Sequence, residues 1–214
     1  MKFITLPMVF LSMLLLNSCL GINADITLNN NGSGTIDLEY QVSKLIDAIG
    51  RLDGNERWNT IPTGRADFER TLDRLPEMKL VSFSSREDDR SLNISLKMEF
   101  SSIAGLLAFL DSGGGRSSFS GDPRSGRMVF TLNSGSGIGN INFDRLIRDV
   151  CNGYSVRISM NFPDSGNLSL TDMGGSLINA AGNDIVRQGR RVSFSMPIYD
   201  ILTADNGINA EFAW

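Results

Sequence analysis

From Leu92 to Phe100 the chain alternates without a break. Leu92, Ile94, Leu96, Met98 and Phe100 are apolar, and Asn93, Ser95, Lys97 and Glu99 between them are polar. Successive strand side chains point to opposite faces, so this pattern predicts a strand with one face buried and the other in water. Such a strand needs neighbours on both edges and a layer over its apolar face. The neighbours are legible. Leu80–Ser84 precedes it across Arg86-Glu87-Asp88-Asp89. Ala24–Leu28 and Thr35–Val42 alternate around Asn29-Asn30-Asn31-Gly32-Ser33-Gly34, a hairpin connection rich in residues that tolerate positive φ. Ser117–Ser120 and Arg127–Leu132 flank Gly121-Asp122-Pro123, and Tyr154–Phe162, Arg191–Met196 and Ile208–Trp214 read as further strands.

Helical spacing appears between these pairs. Leu45, Ile46, Ile49 and Leu52 follow Ser43 as cap; Phe68, Leu72 and Leu75 mark a helix over Gly64–Leu75 that Pro76 stops. Ser101 or Ser102 caps Ile103–Leu110. Phe143, Leu146, Ile147, Val150 and Cys151 lie on one helix face, which makes Cys151 a small core residue. Pro197–Leu202 reads as a short helical turn and Pro163–Gly175 as turn-rich loop. The fold class expected is α+β: a mostly antiparallel curved sheet of hairpins with three to four helices packed on it, in one domain over 24–214.

The start of the chain has a different character. Lys2 is followed by the apolar run Phe3–Leu16 and then by Leu16-Asn17-Ser18-Cys19. A basic start, an apolar core and a small residue before a cut make a secretory signal. The run is shorter than the ~20 residues of a spanning helix. Leu16-Asn17-Ser18-Cys19 resembles the lipobox of bacterial lipoproteins, in a looser form because Asn17 stands where Ala, Ser or Thr is usual. The resemblance implies a signal peptide over 1–18, lipidation of Cys19, a short tether over 19–23, and export to a bacterial membrane, the outer membrane or cell surface if the cell has two membranes. In addition, Ile26–Val42 with Gly32-Ser33-Gly34-Thr35, and Leu92–Phe100 running into Ser101-Ser102 and an apolar helix, resemble LppM-like bacterial lipoprotein domains. That resemblance spans 24–110, rests on pattern rather than motif, and implies a curved sheet on helices and a lipid-binding role.

Composition narrows the chemistry. Histidine is absent. That removes Ser-His-Asp and Cys-His catalysis and nearly every familiar zinc site. With Cys19 lipidated, Cys151 has no partner for an intramolecular disulfide. The chain carries a net charge of -4 and contains Lys2 within the signal; a mildly acidic chain is a poor nucleic-acid binder. The expectation is therefore no enzyme, no cofactor, no metal and no nucleic-acid partner.

Four segments compete as sites. Gly135-Ser136-Gly137-Ile138-Gly139 lacks the third glycine of a dinucleotide loop and any Walker lysine, so it reads as a turn. Glu87-Asp88-Asp89 lacks EF-hand order and reads as a solvated hairpin tip. Arg187, Arg190 and Arg191 form a basic group in a surface turn. Ile103–Leu110 has no polar face, so it is either core or a contact for something apolar. Ile103, Leu106, Leu107, Phe109 and Leu110 are the candidate contact residues, for a lipid or amphiphile, with an envelope scaffold that binds a protein partner as the alternative. Gly113-Gly114-Gly115 follows as a hinge.

If Cys19 carries the anchor, Cys19→Ser leaves the chain unlipidated and released by a carbonate wash, because stable attachment rests on several acyl chains. Full retention of Cys19→Ser in membranes, with no acyl mass on the wild type, contradicts the lipobox reading.

Overall fold

The computed structural model describes residues 21–44, 62–89, 91–110, 117–133, 151, 153–164, 166–172, 184–204 and 207–214. In chain order they form β1 (Gly21–Leu28), β2 (Gly34–Ser43), α1 (Arg65–Leu72), β3 (Met78–Glu87), β4 (Ser91–Phe100), α2 (Ile103–Leu110), β5 (Ser118–Asp122), β6 (Ser125–Asn133), β7 (Ser155–Asn161), β8 (Asn167–Asp172), β9 (Asp184–Gln188), β10 (Arg191–Pro197), α3 (Ile198–Leu202) and β11 (Ile208–Ala213).

The strands build two sheets. Sheet A has seven in the order β3-β4-β2-β1-β7-β10-β9, and sheet B has four in the order β5-β6-β11-β8. Every pairing is antiparallel except β1 with β7, which run parallel.

Register explains why sheet A has one dry face. Leu80 lies opposite Met98, Met98 opposite Ile36, Ile36 opposite Ile26, Ile26 opposite Met160, and Met160 opposite Val192. One apolar row thus crosses six strands, and its members from Met98 to Val192 are essentially inaccessible to water. A slip of one residue in any strand would turn that strand's apolar set outward, so the row locks the register. In β3 a bulge between Leu80 and Ser82 shifts the phase, returning Phe83 to the dry face and leaving Val81 45% exposed.

Two layers meet the dry face. Near β2 and β3, Phe68 of α1 lies against Phe83 and Tyr40, with ring centroids 5.8 Å and 6.4 Å away. The Tyr40 hydroxyl donates to the Pro62 carbonyl. Burial, and secondarily the Asp67 charge, raises its pKa well above the usual phenol range. Near β7 and β10, sheet B meets sheet A through aromatic rings. Phe212 of β11 contacts Phe130 at 5.4 Å, Phe162 at 5.9 Å and Phe194 at 6.4 Å. Phe162 stacks on Trp214 at 4.8 Å.

Several expectations need correction. There are two sheets rather than one curved sheet, because β11 pairs with β6 and β8 instead of extending the first sheet. Helices are few and short among the described residues, of eight, eight and five residues, and form no continuous layer. Gly21–Asn23, expected as tether, already belong to β1. The segment read as turn-rich holds β8, and Arg187, read as part of a turn, lies in β9. Ser43 closes β2. The body of the helix expected after it, most of the Phe143–Cys151 helix and Gly135–Gly139 lie outside the described residues. The β1–β2 and β3–β4 hairpins and β4 agree with the reading; α1 also stops before Pro76 but ends at Leu72 rather than Leu75.

Gly34 shows how tight the dry face is. It sits opposite Phe100, whose ring fills the place of the missing side chain. A Cβ there would lie 2.3 Å from the ring and 1.9 Å from the Thr27 carbonyl oxygen. Neither neighbour yields cheaply, since one is backbone and the other is core. Gly34→Ala should destabilise the domain by about 3 kcal/mol, the upper part of the usual overpacking range, as read by urea denaturation. An unchanged midpoint contradicts the packing described here.

Candidate functional site

Two surfaces merit comparison: α2, which the sequence singles out, and the wet face of sheet A, which it does not.

α2 begins where Ser102 caps it. The Gly105 amide donates to Ser102 Oγ at 3.1 Å, and that hydroxyl donates to Glu77 Oε2 at 2.8 Å. The Ser101 amide donates to the Glu77 carbonyl at 2.9 Å. The Glu77 chain presses so close that a Cβ on Gly105 would lie 2.6 Å from Glu77 Cβ. Pinned this way, the helix sends Ile103, Gly105 and Leu106 into the core. Leu107, Phe109 and Leu110 are partly buried and pack against that core. Ala104 and Ala108 are exposed. An all-apolar helix therefore presents water with two alanines and the edges of three larger side chains.

The wet face is built from the polar halves of the same alternating strands. One row reads Lys97, Asp37, Asp25, Ser159 and Ser193 across β4, β2, β1, β7 and β10. Asp25 and Asp37 are directly opposed, an arrangement that costs stability unless cations intervene. Lys97 Nζ meets Asp37 at 3.0 Å, and Arg191 reaches from β10 across β7 to bond Asp25. Ser159, in the strand between, is buried. The next row on this face reads Ser84, Ser95, Glu39 and Asn23, and the one after it Arg86, Asn93, Gln41 and Gly21.

Between these rows lies a groove of about 430 Å³ lined by Asn23, Glu39, Gln41, Arg86, Asn93 and Ser95, among others. A second hollow of about 230 Å³ shares Asn23, Glu39 and Ser95 and continues to Asp25, Asp37 and Lys97. Part of the lining is already held: Gln41 Nε2 donates to Ser91 Oγ at 2.8 Å, and Ser91 Oγ to Asp88 Oδ2 at 2.8 Å. Glu39 is exposed where the two hollows join and forms no ion pair with a described residue. Amides, hydroxyls and charges of both signs make this face suited to hydrogen bonding with a polar surface. Asp25 and Asp37 are each paired with a cation.

The remaining segments have structural partners. At the β3–β4 turn, Glu87 pairs with Lys44 at 2.7 Å, and their hydrogen bond raises the Lys44 pKa. Asp88 accepts from the Ser91 amide at 2.7 Å. The three arginines are dispersed: Arg187 donates to Asn167 Oδ1 and the Leu168 carbonyl, both at 3.0 Å, Arg190 to the Pro163 carbonyl at 3.4 Å, and Arg191 to Asp25. Cys151 is buried and forms no disulfide among the described residues. Those residues include no group of three or more His, Cys, Asp or Glu that could hold a metal ion, and no helix long and apolar enough to cross a membrane. Cys19 lies outside them.

No family model matches the chain, and no curated protein matches it in sequence. Among solved structures, the folded domain of Mycobacterium tuberculosis LppM, determined by NMR, aligns with 92% of this chain and 91% of that one, at 11% identity and a TM-score of 0.46. This is a weak, fold-level resemblance.

The depth of α2 has a direct consequence. Leu106→Asp places a charge where there is no water and should unfold the domain. Ala108→Asp, on the exposed side, should leave the thermal midpoint within a few degrees of wild type, since surface changes usually fall within ~0.5 kcal/mol. Equal loss from both substitutions contradicts this assignment of faces.

Proposed function

We propose that this chain is an exported, lipid-anchored, non-catalytic protein of a bacterial envelope, whose domain acts as a scaffold or assembly partner through the wet face of sheet A. The anchor reading rests on Leu16-Asn17-Ser18-Cys19. The scaffold reading rests on one observation: the two grooves are continuous across β1, β2 and β4 and meet at the polar residues Asn23, Glu39 and Ser95. Lipid tails gain little from such a surface, whereas a polar protein surface gains hydrogen bonds and charge pairs. A second reading, contact with a lipid or amphiphile through α2, draws on the partly exposed Leu107, Phe109 and Leu110.

Site-specific photocrosslinking separates the two. A photoreactive residue replaces Glu39 in one variant and Ala108 in another, both in cells that make the protein. The scaffold reading expects a discrete protein adduct from position 39 that is absent from position 108. A lipid-mass adduct from position 108, with none from 39, favours the amphiphile reading and overturns the first.

A further inference from the structure

The register of sheet A carries information about orientation at a membrane. Only Leu20 separates Cys19 from β1. Two peptide steps reach at most ~7 Å. Gly21 must therefore sit within about that distance of the anchored residue. β1 is also the fourth of the seven strands of sheet A, so the short link emerges from the middle of one sheet end, not from an edge.

The elements at that end follow from the pairings. Gly21 is level with Gln41, Asn93 and Arg86, so the β3–β4 turn, with Asp88 and Asp89, projects past the N-terminal end of β1. On the other side Ile22 is level with Val156 and Met196, which brings Tyr154 and α3 to the same end. The Tyr154 ring lies beside Gly21, and its carbonyl accepts from the Ile198 amide. Tyr154 and Tyr199 are both partly exposed there, and tyrosine rings suit the headgroup level of a bilayer.

α2 lies at the opposite end. Leu28 is level with Gly34 and Gly34 with Phe100, and α2 starts three residues later. Ile103 approaches Gly32 in the β1–β2 turn. Seven strand steps separate Gly21 from Leu28, which is about 23 Å.

We propose that the Gly21 end of sheet A, with the β3–β4 turn, Tyr154 and α3, is the surface that faces the bilayer holding the anchor, with β1 standing away from it. This deepens the lipid-anchored reading and rests on it. Neither face of the sheet makes a comparable membrane surface. The dry face is occupied by α1 and sheet B, and the wet face runs along β1 rather than lying at the end of the strand next to the anchored residue. In the upright placement the wet face stays open to partners, and α2 points away from the anchoring bilayer.

Depth-dependent quenching tests this with the lipidated full chain in phosphatidylcholine vesicles that contain a lipid with a headgroup-level quencher. Asp89→Cys and Asn30→Cys each carry a fluorophore. Both positions are exposed turn residues, and the wild type, whose Cys151 is buried, serves as the labelling control. The expected result is strong quenching at position 89 and none above background at position 30. Equal quenching at both positions indicates a sheet lying flat and overturns the orientation alone, as does stronger quenching at position 30. Failure of the protein to float with vesicles, together with no acyl mass on Cys19, overturns the anchor and the orientation with it.

Discussion

Everything in this domain depends on one parallel ladder. Ile22–Thr27 of β1 pairs with Val156–Asn161 of β7, and among the described residues it is the only pairing in sheet A that joins the N-terminal strands β1 to β4 to the C-terminal strands β7, β9 and β10. On its dry side Ile26 meets Met160, in the middle of the apolar row that crosses six strands. On its wet side Arg191 bridges over β7 to Asp25, and Asn161 Nδ2 reaches Thr27 Oγ1 at 3.4 Å. The exposed ion pair contributes little by itself. Its position is the point: it spans the same seam as the ladder. Because both halves bury the same apolar row across this ladder, they are expected to unfold as one cooperative unit.

The seam also positions the surfaces available for function. Because β1 is central, the polar residues of β4, β2 and β1 merge into one hollow face, with Glu39 where the two grooves join. Because sheet B stacks its aromatic rings on the β7–β10 side, through Phe212, Phe162 and Phe194, that half of the dry face is closed. α2, pinned by Ser102 and Glu77 at the far end of β4, helps to close the core there while exposing two alanines and the edges of Leu107, Phe109 and Leu110.

Strict alternation made β2 and β4 legible, since an amphipathic strand has few other ways to bury its apolar half. A serine cap at 101 or 102, which is Ser102, and a helix end before Pro76, which falls at Leu72, were legible for equally local reasons. β8 and β9 were not. Asn167–Asp172 is short, alternates only through Leu168 and Leu170 and lies among Pro, Gly and Asp, and Asp184–Gln188 places Ile185 and Val186 side by side. The split into two sheets was hidden as well, because it follows from β11 choosing β6 and β8 as partners, which no local pattern encodes. The wet-face groove escaped notice for the same reason. Asn23, Glu39 and Asn93 are unremarkable strand positions until register brings them together. α2 was conspicuous because hydropathy is local, yet which of its sides meets the core depends on Glu77 and the sheet ends.

Native-state hydrogen exchange tests the central claim, that the β1–β7 ladder makes the two halves a single cooperative unit. The account predicts that the hydrogen-bonded amides of β1, β2, β7 and β10 exchange with one common opening free energy, equal to that of global unfolding by urea. Exchange of β7 and β10 through a separate, lower-energy opening, while β1, β2 and β4 stay protected, would contradict it.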